Sequence, residues 1–246
     1  MRIEPMHGAP RDEKALAAFL DQGWPAFISA DAVAAQYLPS VRERFADLEL
    51  LVVDGDRYVG AGWAVPIVWD GSAGSLPEGY SDSLRRSVTE ETAHTPNTLV
   101  VCAAQIDQAE QGRGIAADLL RAFREQAVAR GLEYLIVPLR PTLKHRYPLT
   151  AIADYAAWIR ADGAPFDPWL RTHWRMGARV LATAAQSQTM TGTIAEWEDW
   201  TGMTLPDAGD YIIPGGLAPL RIDDNGNGTY VEPNIWVQHP LDTPAH

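Results

Sequence analysis

The chain reads most clearly in its middle. At 115–130 the apolar residues Ala116, Leu119, Leu120, Phe123 and Ala127 recur on one face of a 3.6-residue helix. Gly131 follows where a left-handed terminator belongs. Apolar, β-branched runs at 98–105 and 134–139 flank this helix and read as buried strands. Upstream, the pattern predicts a helix at 13–21. A second helix opens after Ser29 as its N-cap and is bent or broken by Pro39 before 41–47. A strand at 48–53 turns at Asp54-Gly55-Asp56 into a returning strand at 57–68. Residues 70–96 are polar and punctuated by Gly and Pro, with a short helix near 83–91; so long a connection suggests a lid over a site.

Downstream, an aromatic and basic stretch at 140–166 holds one helix at 152–160. A helix at 168–176 stops at Gly177, and a strand at 179–184 follows, with a further extended stretch at 188–192. Thr193-x-x-Glu196 is a capping-box pattern opening a helix that ends at Gly202. The tail predicts an extended stretch at 211–213, then a hairpin of 217–223 with 229–237. The Asp223-x-Asn225-x-Asn227-Gly228 run imitates a calcium loop, but Asn234 stands where the bidentate glutamate belongs, so it reads as the hairpin turn. No metal site is expected.

Composition narrows the classes. The 246 residues are 46% hydrophobic and 21% charged, a globular balance. The single cysteine, Cys102, excludes a disulfide within the chain and clustered-cysteine metal sites. No apolar run reaches membrane-span length, and the N-terminus lacks a signal core, so a soluble, cytoplasmic protein is expected, with no membrane partner. The net charge of −12 argues against a nucleic-acid partner.

The candidate chemistry begins at Gln111-Gly112-Arg113-Gly114-Ile115-Ala116, between a strand and a helix. Glycines let the backbone turn tightly beside a ligand, and the first N–H groups of the helix point outward with the positive end of its dipole. An anion site, phosphate first, is the physical expectation. A P-loop would need a following lysine, which is absent. A nicotinamide fingerprint can be drawn through Gly112, Gly114 and Ala117, but the strand that should end in an acidic ribose ligand ends Leu139-Arg140-Pro141.

Gln111-x-x-Gly114-x-Ala116 resembles the Gln/Arg-x-x-Gly-x-Gly/Ala motif of the GCN5-related N-acetyltransferases (GNATs), and the order of elements between about residues 19 and 184 is similar to theirs. The resemblance implies an α/β (α+β) fold with a mixed sheet: a GNAT-like core at 1–184, carrying inserts at 70–96 and 140–166, and a C-terminal strand-rich extension at 185–246 packed on it. It implies acetyl-CoA or another acyl-CoA as co-substrate. The pyrophosphate would lie on Gln111, Gly112, Arg113, Gly114, Ile115 and Ala116, and the pantetheine arm along a splayed strand through Val101, Ala103 and Gln105. The implied reaction is direct attack of a small-molecule amine on the thioester.

Where GNATs commonly carry a tyrosine acid, four residues before the glycine that ends the helix, this chain has His173, whose imidazolium would serve instead. Asp107 and Glu110 are the candidate bases, beside relay through water. Lys144, Arg146 and Tyr147, in the densest basic and aromatic cluster, are candidates for the acceptor site. Two other readings stay open: an acyl-CoA binding module without catalysis, and an NAD(P)-dependent oxidoreductase. Homodimerisation is also left open.

Overall fold

The computed structural model describes residues 1–7, 11–89 and 95–241. Three layers form it: one mixed sheet with helices on both faces. The described strands are β1 (Arg2–Pro5), β2 (Glu49–Asp54), β3 (Arg57–Ile67), β4 (Thr98–Ile106), β5 (Tyr134–Leu139), β6 (Arg179–Thr193), β7 (Gly209–Tyr211), β8 (Leu220–Ile222) and β9 (Asn227–His239). The order is β1-β2-β3-β4-β5-β9-β8-β7, with β6 along the other edge of β9. Among the described pairs only β4 and β5 run parallel. A nicotinamide-binding doubly wound fold needs a mostly parallel sheet, so the oxidoreductase alternative falls here.

One face is covered by α4 (Ile115–Ala129) and α6 (Pro168–Arg175). Phe123, Leu119 and Leu120 of α4 and Leu170 of α6 share a buried core with Leu99, Val101, Leu135 and Val237. The other face carries α1 (Glu13–Leu20), α2 (Ala32–Arg44) and α3 (Tyr80–Thr89). There Val65, Val100, Cys102, Ile136 and Trp236 are buried beneath Leu84 and Trp69. Alternation along β4 supplies both cores, because successive side chains of a strand point to opposite faces.

Several local expectations shift. The second helix is capped by Asp31, not Ser29: the Asp31 carboxylate accepts from Val33 N (2.9 Å) and Ala34 N (3.0 Å). Pro39 sits inside a continuous α2. The helix at 152–160 contracts to α5 (Ile152–Ala156), since Trp158 onward turns into a bridge between Ile159 and Pro165. The insert at 70–96 is no loose lid over 70–89: Ser81, Asp82, Ser83 and Leu84 are buried on the sheet. Residues 90–94 lie outside the described residues.

The largest shift concerns the C-terminus. The boundary drawn at 184 falls inside β6, which pairs with β9 from Arg179↔Gln238 to Thr193↔Asn227. β9 also pairs with β5 from Leu135↔His239 to Leu139↔Ile235. The tail therefore supplies a central strand of the sheet. Its distal half, with β7, β8 and α7 (Ile194–Thr201), closes a satellite core of Phe27, Met190, Trp197, Leu220 and Tyr230. Thr193 and Glu196 form the capping box that opens α7.

Candidate active site

The site is built on a fork in the sheet. β4 and β5 pair at Thr98↔Tyr134, Leu99↔Leu135 and Val100↔Ile136, and no pairing is described beyond Val100. Both strands continue, to Ile106 and Leu139. The rest of β4 therefore offers backbone N–H and C=O groups on an edge inside the sheet. A bulge accompanies the divergence: Ala64 faces Val101 and Trp63 faces Ala103, which leaves Cys102 as the extra residue. Bulges bend a strand and re-aim its side chains. Val101, Ala103 and Gln105, expected along the splayed strand, all lie on this arm of the fork.

The glycine turn stands at the fork's mouth. Gly112 has φ 80° and Gly114 φ 84°, the left-handed region where glycine carries no Cβ penalty. Gly114 is the N-cap of α4 and no side chain caps that end. Ala117 N and Asp118 N donate to Gly114 O (3.0 and 3.1 Å), so the N–H groups of Ile115 and Ala116 open the helix without partners inside it. Gln111, Gly112, Arg113 and Gly114 are exposed, and a Cβ built on either glycine would meet nothing within 4 Å. The turn is an open, positively polarised cradle.

The carboxylates expected as bases brace this turn. Glu110 is buried and paired with both Arg113 and Arg57 (Nη2–Oε1 3.2 Å). Asp107 caps the short 3-10 turn after β4, accepting from Ala109 N at 2.8 Å, and faces Arg57 at 3.7 Å. Gln105 is tied to the helical face: Nε2 donates to Phe19 O and Gln22 O (2.7 Å each), while Oε1 accepts from Trp24 Nε1 (2.9 Å).

His173 is fully buried on α6. Its Nδ1 lies 2.7 Å from His239 Nε2, and Trp169 meets its ring edge-on at 4.3 Å. Burial, with His239 beside it, holds His173 well below the usual histidine range. A neutral, sealed imidazole does not supply the imidazolium acid expected of it. The fold places it away from the open arm too, since His239 pairs with Leu135, at the closed end of the fork.

Lys144 is likewise structural. Its Nζ is buried and donates to Leu217 O (2.6 Å) and Tyr147 O (2.8 Å), and desolvation lowers its pKa. Arg146 is exposed beside it, and Tyr147 packs edge-on against Trp158 at 4.9 Å. The basic and aromatic segment is thus a cover for β6 and β9, pinned by Asp167, which caps α6 and accepts from Tyr155 Oη (2.8 Å) and Leu143 N (2.9 Å).

Sequence reasoning passed over Trp63 and Tyr80. Trp63 lies on β3 opposite the bulge, and Tyr80 opens α3; both pack on the core that contains Val100, Cys102 and Ile136. The only signal in the sequence was one aromatic just before the supposed lid and another inside it.

No family model matches the chain. It is 28% identical over 249 residues to the arginine N-acetyltransferase avaD of Aspergillus versicolor, an alignment spanning 89% of this chain and 85% of that one. Its fold matches the loading GNATL domain of CurA from Lyngbya majuscula (TM-score 0.61, 14% identity, 98% of this chain and 97% of that). It also matches the GphF GNAT-like decarboxylase in complex with isobutyryl-CoA (TM-score 0.60, 20% identity, 98% and 100%). At such identities the structural likeness establishes the fold, and the sequence relationship adds the lineage. Together with the forked strands and the glycine turn, they show that the chain has the fold of the GCN5-related N-acetyltransferases and is related in sequence to an N-acetyltransferase.

Proposed function

We propose that the chain transfers an acyl group, acetyl first, from acyl-CoA to the amine of a small molecule, and that arginine is the first acceptor to test. The observation that carries this reading is the fork between β4 and β5 with an open glycine cradle at its mouth. The N–H groups from Gly112 to Ala116 would hold the pyrophosphate, and the free edge of β4 beyond Val100 would take the amides of the pantetheine arm. From Ile106 to Val101 the strand spans about 17 Å at about 3.3 Å per residue. That is the reach of an extended pantetheine arm, so the thioester falls level with the Cys102 bulge.

The attacking amine adds to the thioester carbonyl carbon, the carbonyl electron pair moves to oxygen, and collapse breaks the C–S bond. Asp107 and Glu110 are engaged by arginines, and His173 is sealed. The ammonium proton therefore leaves through water, and water returns one to the thiolate. The arginine acceptor follows from the name of the avaD relative. A pocket of about 310 Å³ lies between Ala73, Pro77 and Glu78 and the β6 residues Ala182–Gln186, against Trp236, and is the first place to look for the acceptor.

Calorimetry with acetyl-CoA, followed by thiol release in the presence of arginine, tests the proposal. Binding and turnover support it; absence of binding to both acetyl-CoA and CoA ends it. A second reading, acyl-CoA binding without transfer, is favoured by the engagement of every proton-transfer group the sequence offered. Acetyl-CoA binding without thiol release across a broad amine panel would favour that reading.

A further inference from the structure

One buried hydrogen-bond donor on the α3 face is left without a well-formed partner by the fold. The Trp63 indole Nε1 is buried and makes no well-formed hydrogen bond. The Tyr80 hydroxyl lies beside it, close to Cys102. A buried N–H without an acceptor is rare enough in folded proteins to need a reason. Burial raises the Tyr80 pKa, so the phenol keeps its proton at neutral pH and can donate it to a ligand while its oxygen faces the Trp63 N–H.

Position supplies the reason. Trp63 pairs with Ala103 and so flanks the bulge at Cys102. Both aromatic side chains pack on a core shared by the two arms of the fork, Val100 and Cys102 of β4 and Ile136 of β5. This is the level at which the arm-length argument puts the thioester. Tyr80 is also held firmly. Its N–H donates to Ser187 Oγ (2.9 Å). The next residue, Ser81, donates to the buried Asp31 carboxylate, and Ser83 Oγ donates to Gly79 O (2.7 Å). Gly79 lies so close to β6 that a Cβ there would stand 2.2 Å from Ser187 Cα.

Resting on the acyl-transfer reading above, we propose that the Tyr80 hydroxyl and the Trp63 N–H together hydrogen-bond the thioester carbonyl oxygen and stabilise the oxyanion formed as the amine adds. Neither donor loses its proton. The C–N bond forms as the carbonyl electron pair moves to oxygen; the pair returns as the C–S bond breaks, and the thiolate takes its proton from water. Donors fixed before the reaction need no reorganisation when charge develops, which is why such groups carry a large share of catalysis.

Isotope-edited infrared spectroscopy of acetyl-CoA labelled with carbon-13 at the thioester carbonyl reads this contact directly. Bound to the wild type, the band shifts to lower frequency than in solution. Tyr80→Phe and Trp63→Phe each lose at least half of that shift. With arginine as acceptor, kcat for Tyr80→Phe falls about 100- to 1,000-fold, while KM for acetyl-CoA stays within about threefold. Both substitutions keep the ring packing. A wild-type band at the solution frequency, or one that Tyr80→Phe leaves unmoved while acetyl-CoA still binds, overturns the oxyanion role and spares the acyl-transfer reading. A wild type that does not bind acetyl-CoA overturns both.

Discussion

Two helix ends were marked for chemistry, and their fates are opposite. The N-terminus of α4 is exposed, uncapped and free of side-chain cover. The C-terminal turn of α6 carries His173, which is sealed beneath Trp169 and His239. The first end leaves its polar groups without partners inside the fold; the second uses its polar group there. A residue type that suits catalysis says little until its access to the cleft is known, because a site needs both a reactive group and open space beside it.

The comparison is broken most severely at the glycine turn. Gly114→Asp puts a β-carbon at φ 84° and a carboxylate where the diphosphate would lie. Acetyl-CoA affinity should fall by about 1,000-fold, roughly 4 kcal/mol. Unchanged affinity in calorimetry would remove the cradle from the site.

At the other helix end the expected effect is on stability. Burial, with Arg124 nearby, lowers the pKa of His239 from 6.5 to about 4. A histidine held neutral in the folded state binds fewer protons there than when unfolded. Its contribution is therefore fully present above pH 6.5 and lost as pH falls toward 4. Each unit is about 1.4 kcal/mol, so urea unfolding at pH 7 and pH 4 should differ by about 3 kcal/mol from this group. His239→Gln should flatten the profile between those values; an unaltered profile would show that the pair does not set acid stability.

His173→Ala should then cost about 2–3 kcal/mol through the cavity and the broken pair. It should leave kcat per folded molecule within about twofold. A 100-fold loss of kcat with the fold retained would return the acid role to His173. The smallest effect is expected at Lys144→Met, which leaves the Tyr147 and Leu217 carbonyls without their donor. About 1–2 kcal/mol of stability should go, read from urea midpoints, with KM for arginine unchanged. A raised KM would put Lys144 back in the acceptor site.

Much of this was legible along the chain. The periodicity at 115–130 and the apolar runs around it correspond to α4, β4 and β5 to within a residue or two. Gly131, Gly177 and Gly202 stand at positive φ just past their helices, where their spacing put them. Asp31 was missed as a cap because Ser29 carries the same signal two residues earlier. β1 was missed because four residues of mixed polarity at an edge leave no pattern.

The local order of strands and helices, and the exposed glycine turn between them, were determined by the sequence alone. Those features depend on side-chain period, φ preference and the unpartnered amides of one helix end, and all of these act over a few residues. Which strands become neighbours was decided only by tertiary structure. β9 enters beside β5 from nearly a hundred residues away, the Cys102 bulge accompanies the fork, and the fold buries Glu110, His173 and Lys144, pairs Asp107 with Arg57, and packs Trp63 and Tyr80 on the core that holds Cys102. Burial and partnership are properties of pairs far apart in the chain, and no local pattern encodes them.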